Sequence, residues 1–144
     1  MKRKLPVVAL AVAGCLLAGA AVHSAADKKD EAPKKARAPY VHTVIFTMKK
    51  DAPKEAEAEL VADCHEMLAK IPTVRELRAG RPAEKGTPEL AKKDFSIALT
   101  ICFDDYDGLM AYDKHELHQK FVKKHLPNVQ FDKLLVYDSE DQAK

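Results

Sequence analysis

The sequence predicts an α+β domain in which two helical segments cover one face of a four-stranded antiparallel sheet. Two observations favour this fold class. Four short stretches have the alternating or β-branched apolar side chains of strands, and two longer stretches between them have apolar residues at helical spacing. The resulting order, β-α-β-β-α-β, is the split βαβ or ferredoxin-like arrangement. A chain of 144 residues has room for one such domain and little more.

The strands are predicted from a period of two residues. In residues 40–48 both sets of alternating side chains are fairly apolar, which indicates a central strand covered on both sides. A short second strand at about residues 74–79 is closed by Gly80 and followed by a polar loop. The clearest strand is at residues 95–103, where large side chains fill one face and small ones the other. The last strand is predicted at residues 130–138.

The two helical segments are predicted from apolar spacing and from their boundary residues. Asp51 is a good N-cap for the first segment, which extends to Ile71 and is stopped by the proline that follows. Asp104 or Asp105 caps the second segment, which continues to Pro127 either unbroken or with one break. The large side chains of residues 95–103 are expected to meet these helices.

The sheet face away from the helices is also predicted to be apolar. Val41, Ile45 and Cys102 are expected on it, and such a face is too apolar to remain in contact with water. A two-fold dimer buries a face of this kind against its own copy. The sequence therefore predicts a homodimer.

The first 26 residues have the order of an export signal. Basic residues 2–4 precede an apolar run at residues 5–22, and small residues then precede a polar stretch. Three fates are open: cleavage after Ala26, lipidation at Cys15 within a lipobox-like Val-Ala-Gly-Cys, or retention as an uncleaved anchor. All three predict an exported protein, periplasmic or otherwise extracytoplasmic, which contacts the membrane only through this segment.

Charge and composition separate the leader from the rest of the chain. Residues 27–39 are predicted to be a polar tether, since their mixed charges, alanines and prolines leave no apolar face to bury. Three of the 24 basic residues lie in the leader, so the chain after residue 26 has 21 basic against 22 acidic residues. That balance leaves no basic surface of the kind that binds nucleic acid, and no nucleic acid partner is predicted.

Two cysteines remain after the leader. An exported chain permits a disulfide between Cys64 and Cys102. The alternative is two buried thiols, and it is preferred because a free cysteine commonly packs as a small apolar side chain and the periodicities allow the two to lie on different faces.

Several segments, in this order and spacing, resemble the stress-responsive α/β-barrel (Dabb) domain family of the dimeric α+β barrel superfamily. They are HTVIF at residues 42–46, IPTV at 71–74 with Gly80, TICFDD at 100–105, AY at 111–112 leading into HELHQKF at 115–121, and LVYD at 135–138. The resemblance covers residues 40–139 and leaves 140–144 as a tail. It implies a homodimer whose two sheets pack face to face into a barrel.

The resemblance also implies candidate site residues. In one characterised plant member, a cyclase of linear polyketide thioesters, a histidine is the general base and a tyrosine and a second histidine assist it. By position, His118 corresponds to the base, Tyr112 to the tyrosine and His42 to the histidine of the first strand. An imidazole suits proton abstraction next to a carbonyl, and a phenol can hold the enolate oxygen. The alternative is that all three residues serve packing and hydrogen bonding alone.

A metal site is the next candidate, because His115 and His118 lie three residues apart. The local sequence HELH lacks the H-E-x-x-H spacing, so neither a metal nor a cofactor is predicted. The family usually has proline where this chain has Glu116. His65 and His125 are interpreted as ordinary helix positions.

Two functions remain open from the sequence. The first is an exported, homodimeric domain that binds a small apolar or aromatic molecule between sheet and helices. The second is an enzyme of the proton-transfer type, cyclase-like or another lyase or isomerase, with His118 as base, Tyr112 assisting and His42 positioning.

Overall fold

The computed structural model describes residues 38–142, and its elements have the predicted β-α-β-β-α-β order. The strands are β1 (Tyr40–Phe46), β2 (Glu76–Gly80), β3 (Ile97–Phe103) and β4 (Leu135–Glu140). The helices are α1 (Ala56–Glu66), α2 (Tyr106–Lys114) and α3 (Glu116–His125), with short 3-10 turns at Leu68–Lys70, Leu126–Asn128 and Phe131–Lys133. The predicted leader, with Cys15, and nearly all of the tether lie outside the described residues.

The four strands form one antiparallel sheet in the order β2-β3-β1-β4. β1 is therefore a central strand, as its apolar character on both sides predicts. Because side chains alternate along a strand, the sheet has two faces. We call the face under the helices the covered face, and the other, which no helix of the described residues covers, the open face.

The hydrophobic core lies between the covered face and the helices. In β3 the four large side chains Ile97, Leu99, Ile101 and Phe103 are each at most 1% exposed. Burying one such side chain fully contributes about 2 kcal/mol. The helices supply the opposing buried side chains, namely Leu60, Cys64, Leu109, Tyr112 and Phe121. The prediction that the large face of this strand meets the helices is confirmed.

The first helix begins later than predicted. The Ala52 N–H donates to the Lys49 carbonyl at 3.1 Å, which closes a turn before the helix can start. Pro53 also disfavours helical backbone at the residue before it. Helix α1 therefore begins at Ala56, with Glu55 at its N-cap and no side-chain cap hydrogen bond. The prediction that Asp51 caps this helix was wrong.

The last strand also begins later than predicted, at Leu135 rather than at residue 130. The Gln130 N–H still donates to the Thr47 carbonyl at 2.8 Å beyond the end of β1. The chain then turns, because the Lys133 N–H donates to the Gln130 carbonyl at 3.0 Å. Residues 131–133 form a 3-10 turn at the place where the sequence predicts a strand.

The second helical segment is broken, and His115 makes the break. Asp105, one of the two predicted caps, begins α2 by accepting a hydrogen bond from the Gly108 N–H at 2.8 Å. His115 has extended backbone, and its Nδ1 accepts a hydrogen bond from the Leu117 N–H at 3.2 Å. Glu116 is the first residue of α3, a position that favours proline. The histidine therefore caps α3 without help from that proline.

The two cysteines lie on opposite sides of the sheet, Cys64 in helix α1 and Cys102 on the open face of β3, and both are free. Cys64 is fully buried in the core, whereas Cys102 is only half-buried on the open face. The prediction of unpaired thiols on different faces is confirmed, and full burial applies to Cys64 alone. Of the helices between residues 38 and 142, none has the length and apolar character to cross a membrane.

Candidate functional site

A cavity of about 440 Å³ lies between the covered face and helices α2 and α3. This volume is typical of small-molecule sites. Strands β1 and β4 contribute to its walls, and the turn before β4 adds Phe131 and Leu134. Its walls are mostly apolar and include Val44, Leu99, Leu109, Met110, Phe121 and Val136. Its polar groups are few, so each can orient a bound molecule.

A carboxylate on the neighbouring strand fixes His42. The register of β1 against β4 places His42 opposite Asp138, and His42 Nδ1 lies 2.7 Å from Asp138 Oδ1. Because an ionised carboxylate only accepts hydrogen bonds, Nδ1 carries the proton in the neutral imidazole and Nε2 keeps its lone pair. The His42 side chain is 14% exposed and that of Asp138 is 41% exposed. The pair holds one imidazole in a fixed orientation on the cavity wall.

Tyr112 is the buried phenol of the cavity, with 2% of its surface exposed. Its ring centroid lies 5.2 Å from that of Phe103, 6.3 Å from that of His42 and 4.5 Å from that of His118. Burial raises the pKa of Tyr112, and the nearby Cys64 and Asp113 raise it further. The phenol therefore stays protonated at neutral pH. No side-chain hydrogen bond within residues 38–142 involves its hydroxyl, which leaves the donor available.

His118 is held by the end of helix α2. Its Nδ1 lies 2.9 Å from the Asp113 carbonyl oxygen and 3.5 Å from Asp113 Oδ1. Since a carbonyl cannot donate, Nδ1 carries the proton and Nε2 keeps its lone pair in the neutral ring. The side chain is 16% exposed and its ring lies beside that of Tyr112. An imidazole nitrogen able to accept a proton thus lies next to a phenol able to donate a hydrogen bond.

His125 lines the cavity from the end of α3 and is only 3% exposed. Its Nε2 lies 2.7 Å from Asp63 Oδ2, which also accepts from Lys124 Nζ at 2.7 Å. Burial by itself raises the pKa of Asp63, but the hydrogen bonds from Lys124 and His125 outweigh it and hold the pKa below its ordinary value. The interpretation of His125 as an ordinary helix position was wrong, because this residue joins α3 to α1.

The three predicted site residues, His42, Tyr112 and His118, all line this one cavity. Their part in any reaction stays a prediction. His115 is not among the lining residues, since it caps α3. Among residues 38–142, no group of three or more His, Cys, Asp or Glu side chains is placed to hold a metal ion.

Sequence reasoning missed the partners that fix these side chains. Asp138 lies 96 residues from His42, and Asp63 lies 62 residues from His125. No spacing rule connects residues so far apart. Only the pairing register of β1 with β4 could have identified the first of these pairs.

Comparison with known protein families gives one match that covers most of the chain. The profile of the family described as Stress responsive A/B Barrel Domain (Dabb) matches residues 41–141. Among curated proteins, none matches the chain by sequence.

Solved structures agree on the fold. A Dabb family protein with a ferredoxin-like fold from Mesorhizobium loti is 24% identical, with a TM-score of 0.59 over 74% of this chain and 100% of its own. A dimeric protein of unknown function and ferredoxin-like fold from Bacteroides fragilis is 23% identical, with a TM-score of 0.53 over 72% and 97%. The hydroxynitrile lyase from Passiflora edulis is 16% identical, with a TM-score of 0.60 over 75% and 98%. At these identities the likeness is one of fold.

Proposed function

The chain belongs to the stress-responsive A/B barrel (Dabb) domain family, and from this membership we propose that it is a homodimer that binds one small apolar or aromatic molecule in each subunit. The observation that carries the proposal is the cavity of about 440 Å³ with its mainly apolar walls. An apolar site with a few convergent polar groups is the usual form of a small-molecule site. His42, Tyr112 and His118 supply those groups.

The open face supports the homodimer. Cross-strand pairs place Ile45 beside Ala98 and Leu135, and Thr43 beside Thr100 and Tyr137, so one apolar surface runs across β3, β1 and β4. Leu135 is 46% exposed and Tyr137 is 57% exposed. A contiguous apolar surface of this kind is typical of an interface. A neighbour of the same fold, the protein from Bacteroides fragilis, is described as dimeric.

Ligand retention tests the binding proposal. After incubation with a mixed pool of small metabolites, the purified protein should retain an apolar or aromatic compound identifiable by mass spectrometry. The Val136→Trp variant should lose it, because an indole on β4 fills the cavity that Val136 lines. Val136 is 50% exposed, so the larger side chain does not disturb the core.

The matched control is Tyr137→Trp, which places the same indole on the open face of the same strand. It should retain the compound. If the unaltered protein retains nothing, or if Val136→Trp retains as much as the control, the cavity does not bind ligand.

Proton transfer next to a carbonyl is the second candidate function. The arrangement of His118 and Tyr112 favours it, since His118 Nε2 keeps a lone pair and the Tyr112 hydroxyl is a free donor. In such a step His118 Nε2 takes a proton from the carbon beside the carbonyl. The C–H electron pair then forms the carbon–carbon double bond of the enolate, and the π electrons of the carbonyl move onto its oxygen. The Tyr112 hydroxyl then donates a hydrogen bond to that oxygen, while His42 and Asp138 position the substrate.

Solvent deuterium exchange tests this second function. An aromatic ketone such as acetophenone, incubated with the protein in D₂O, should gain deuterium at its methyl carbon faster than in buffer. We expect His118→Ala to slow the exchange by about 100-fold, the usual contribution of a general base. His65→Ala, which removes an exposed histidine of α1, is the matched control. A catalytic role for His118 is contradicted if the protein exchanges the ketone no faster than buffer does. It is also contradicted if His118→Ala exchanges the ketone as fast as the unaltered protein.

We further propose that the protein is exported through its first 26 residues. The supporting feature is their basic, apolar and small-residue order. N-terminal sequencing of protein from fractionated cells tests the proposal. A mature chain beginning at Asp27 supports cleavage and a modified Cys15 supports lipidation, whereas a full-length chain in the cytoplasmic fraction contradicts export.

A further inference from the structure

A groove of about 450 Å³ lies beside the cavity, at the C-terminal end of helix α3. Three residues line both spaces: Val122, Leu126 and Phe131. Phe131 is 72% exposed, which is unusual for a large aromatic side chain. The cavity and the groove therefore meet at shared apolar side chains, so a ligand longer than the cavity can extend toward the groove over apolar surface.

The groove has two cations and no acid among its lining residues. Its polar residues are Lys49 and Lys123, and its other walls include Pro127 and Val129. Lys49 is held in place, because its Nζ donates to the Pro127 carbonyl at 2.7 Å and its backbone N–H donates to the Asn128 carbonyl at 2.8 Å. The Lys49 ammonium still has further N–H groups to donate.

Neither lysine is neutralised by the described part of the chain. Within residues 38–142, Asp63 and Glu59 of α1 pair with Lys124 instead, at 2.7 Å and 3.9 Å. Glu57, which lies near Lys49, pairs with Arg81 at 3.2 Å. The acids that line the cavity, Asp113 and Asp138, lie beside His118 and His42. The acids among the lining residues of the two spaces therefore all belong to the cavity, and the lysines belong to the groove.

We propose that the ligand is an amphipathic carboxylic acid, with its apolar or aromatic body in the cavity and its carboxylate on Lys49 and Lys123. This inference rests on the proposed ligand-binding function and adds the charge and direction of the ligand. A carboxylate held beside His118 or His42 in the cavity would also approach Asp113 or Asp138, whereas in the groove it meets the ammonium groups of Lys49 and Lys123, which form no ion pair within residues 38–142. Because the two lysines are exposed, we expect a moderate preference for a carboxylate over a neutral ligand, and we expect added salt to weaken it.

Calorimetric titration with octanoate and 1-octanol tests this inference, since the two probes share one apolar body and differ in charge. We expect octanoate to bind about fivefold more tightly than 1-octanol at low ionic strength, with the preference reduced by added salt. In the double variant Lys49→Gln, Lys123→Gln the two probes should bind equally, with the affinity for 1-octanol unchanged. The double variant Lys114→Gln, Lys120→Gln makes the same charge change outside both spaces and should keep the preference.

Val136→Trp serves as a second control, because filling the cavity should weaken the binding of octanoate and of 1-octanol equally. Equal binding of the two probes by the unaltered protein overturns the carboxylate inference and leaves the cavity proposal intact. A preference that survives in the Lys49 and Lys123 double variant also overturns it. If neither probe binds the unaltered protein, both this inference and the proposed ligand-binding function fail.

Discussion

The two faces of the sheet are built from the same strands and differ in what covers them. On the covered face, β3 places Ile97, Leu99, Ile101 and Phe103 against the helices. On the open face the same strand has only Ala98, Thr100 and Cys102, all half-buried. Small side chains let another sheet approach closely, since stacked sheets lie about 10 Å apart. One face is thus completed by this chain, and in the proposed homodimer a second copy covers the other.

The largest expected effect comes from the covered face. Ile101→Ala should lower the free energy of unfolding by about 3 kcal/mol, because the deletion leaves a cavity in a packed core. Thr100→Ala, one residue away on the open face, should cost less than about 1 kcal/mol. Chemical denaturation of both variants measures the difference. Equal losses in the two variants would mean that the faces are not distinct.

A smaller effect is expected from charging the open face. Ile45→Arg should raise the dissociation constant of the dimer by at least about 100-fold, because it places an unpaired charge in an apolar interface. The variant should remain folded, since Ile45 points away from the core. Sedimentation velocity measures the change. Leu90→Arg, at a 73% exposed loop position, is the matched control and should remain dimeric. A dimer that persists in Ile45→Arg places the interface elsewhere.

On the covered side of the sheet, Asp63 of α1 binds Lys124 and His125 of α3. This network should make the free energy of unfolding depend on pH in the acid range. The pKa of Asp63 is lowered in the folded protein from an ordinary value of 3.8, so the folded state binds its proton less readily than the unfolded state. The stabilisation is therefore fully present above that ordinary value and is lost as pH falls through the lower, folded value.

Asp63→Asn should accordingly lower the free energy of unfolding at neutral pH by about 1 kcal/mol. Below about pH 4, the stability of this variant should fall less steeply with decreasing pH than that of the unaltered protein. Thermal unfolding across acid pH measures both effects. Asp132→Asn removes an exposed carboxylate of the turn before β4 and should leave the acid dependence as it was. An unchanged acid dependence in Asp63→Asn would show that this network does not contribute.

The smallest effect is a difference in thiol reactivity between the faces. Burial raises the pKa of Cys64 to about 12, and burial also raises the pKa of Cys102 on the open face. In a chain with Cys15→Ser, iodoacetamide should leave native Cys64 unmodified and modify Cys102 slowly. The rate at Cys102 should fall as protein concentration rises and dimers form. A rate at Cys102 that does not depend on concentration would contradict its burial between subunits.

The sequence predicts the fold well because both periodicities are strong. The alternation in β3 shows in residues 95–103, and the central position of β1 follows from its two apolar sides. The boundaries were less predictable, since Asp51 and residues 131–133 form hydrogen-bonded turns that compete with a helix and a strand. The propensity of a single residue does not show whether the segment forms a turn or continues as a helix or strand.

The candidate site was predictable in its imidazoles and phenol and unpredictable in the groups that hold them. His42, Tyr112 and His118 were identified by resemblance to a family motif. Asp138 was missed because its relation to His42 exists only through the pairing of two strands. Lys49 and Phe131 carry no motif, and their place at one groove follows from the turn that precedes β4. Long-range register, rather than local pattern, determines these contacts.

Native mass spectrometry with octanoate tests most directly the central claim that the covered face binds ligand while the open face binds a second copy. The unaltered protein should appear at twice the chain mass, with up to two octanoate molecules bound. Ile45→Arg should appear at the mass of one chain and still bind one octanoate. A single-chain mass for the unaltered protein at micromolar concentration, or loss of octanoate together with the dimer in Ile45→Arg, would contradict the separation of the two faces.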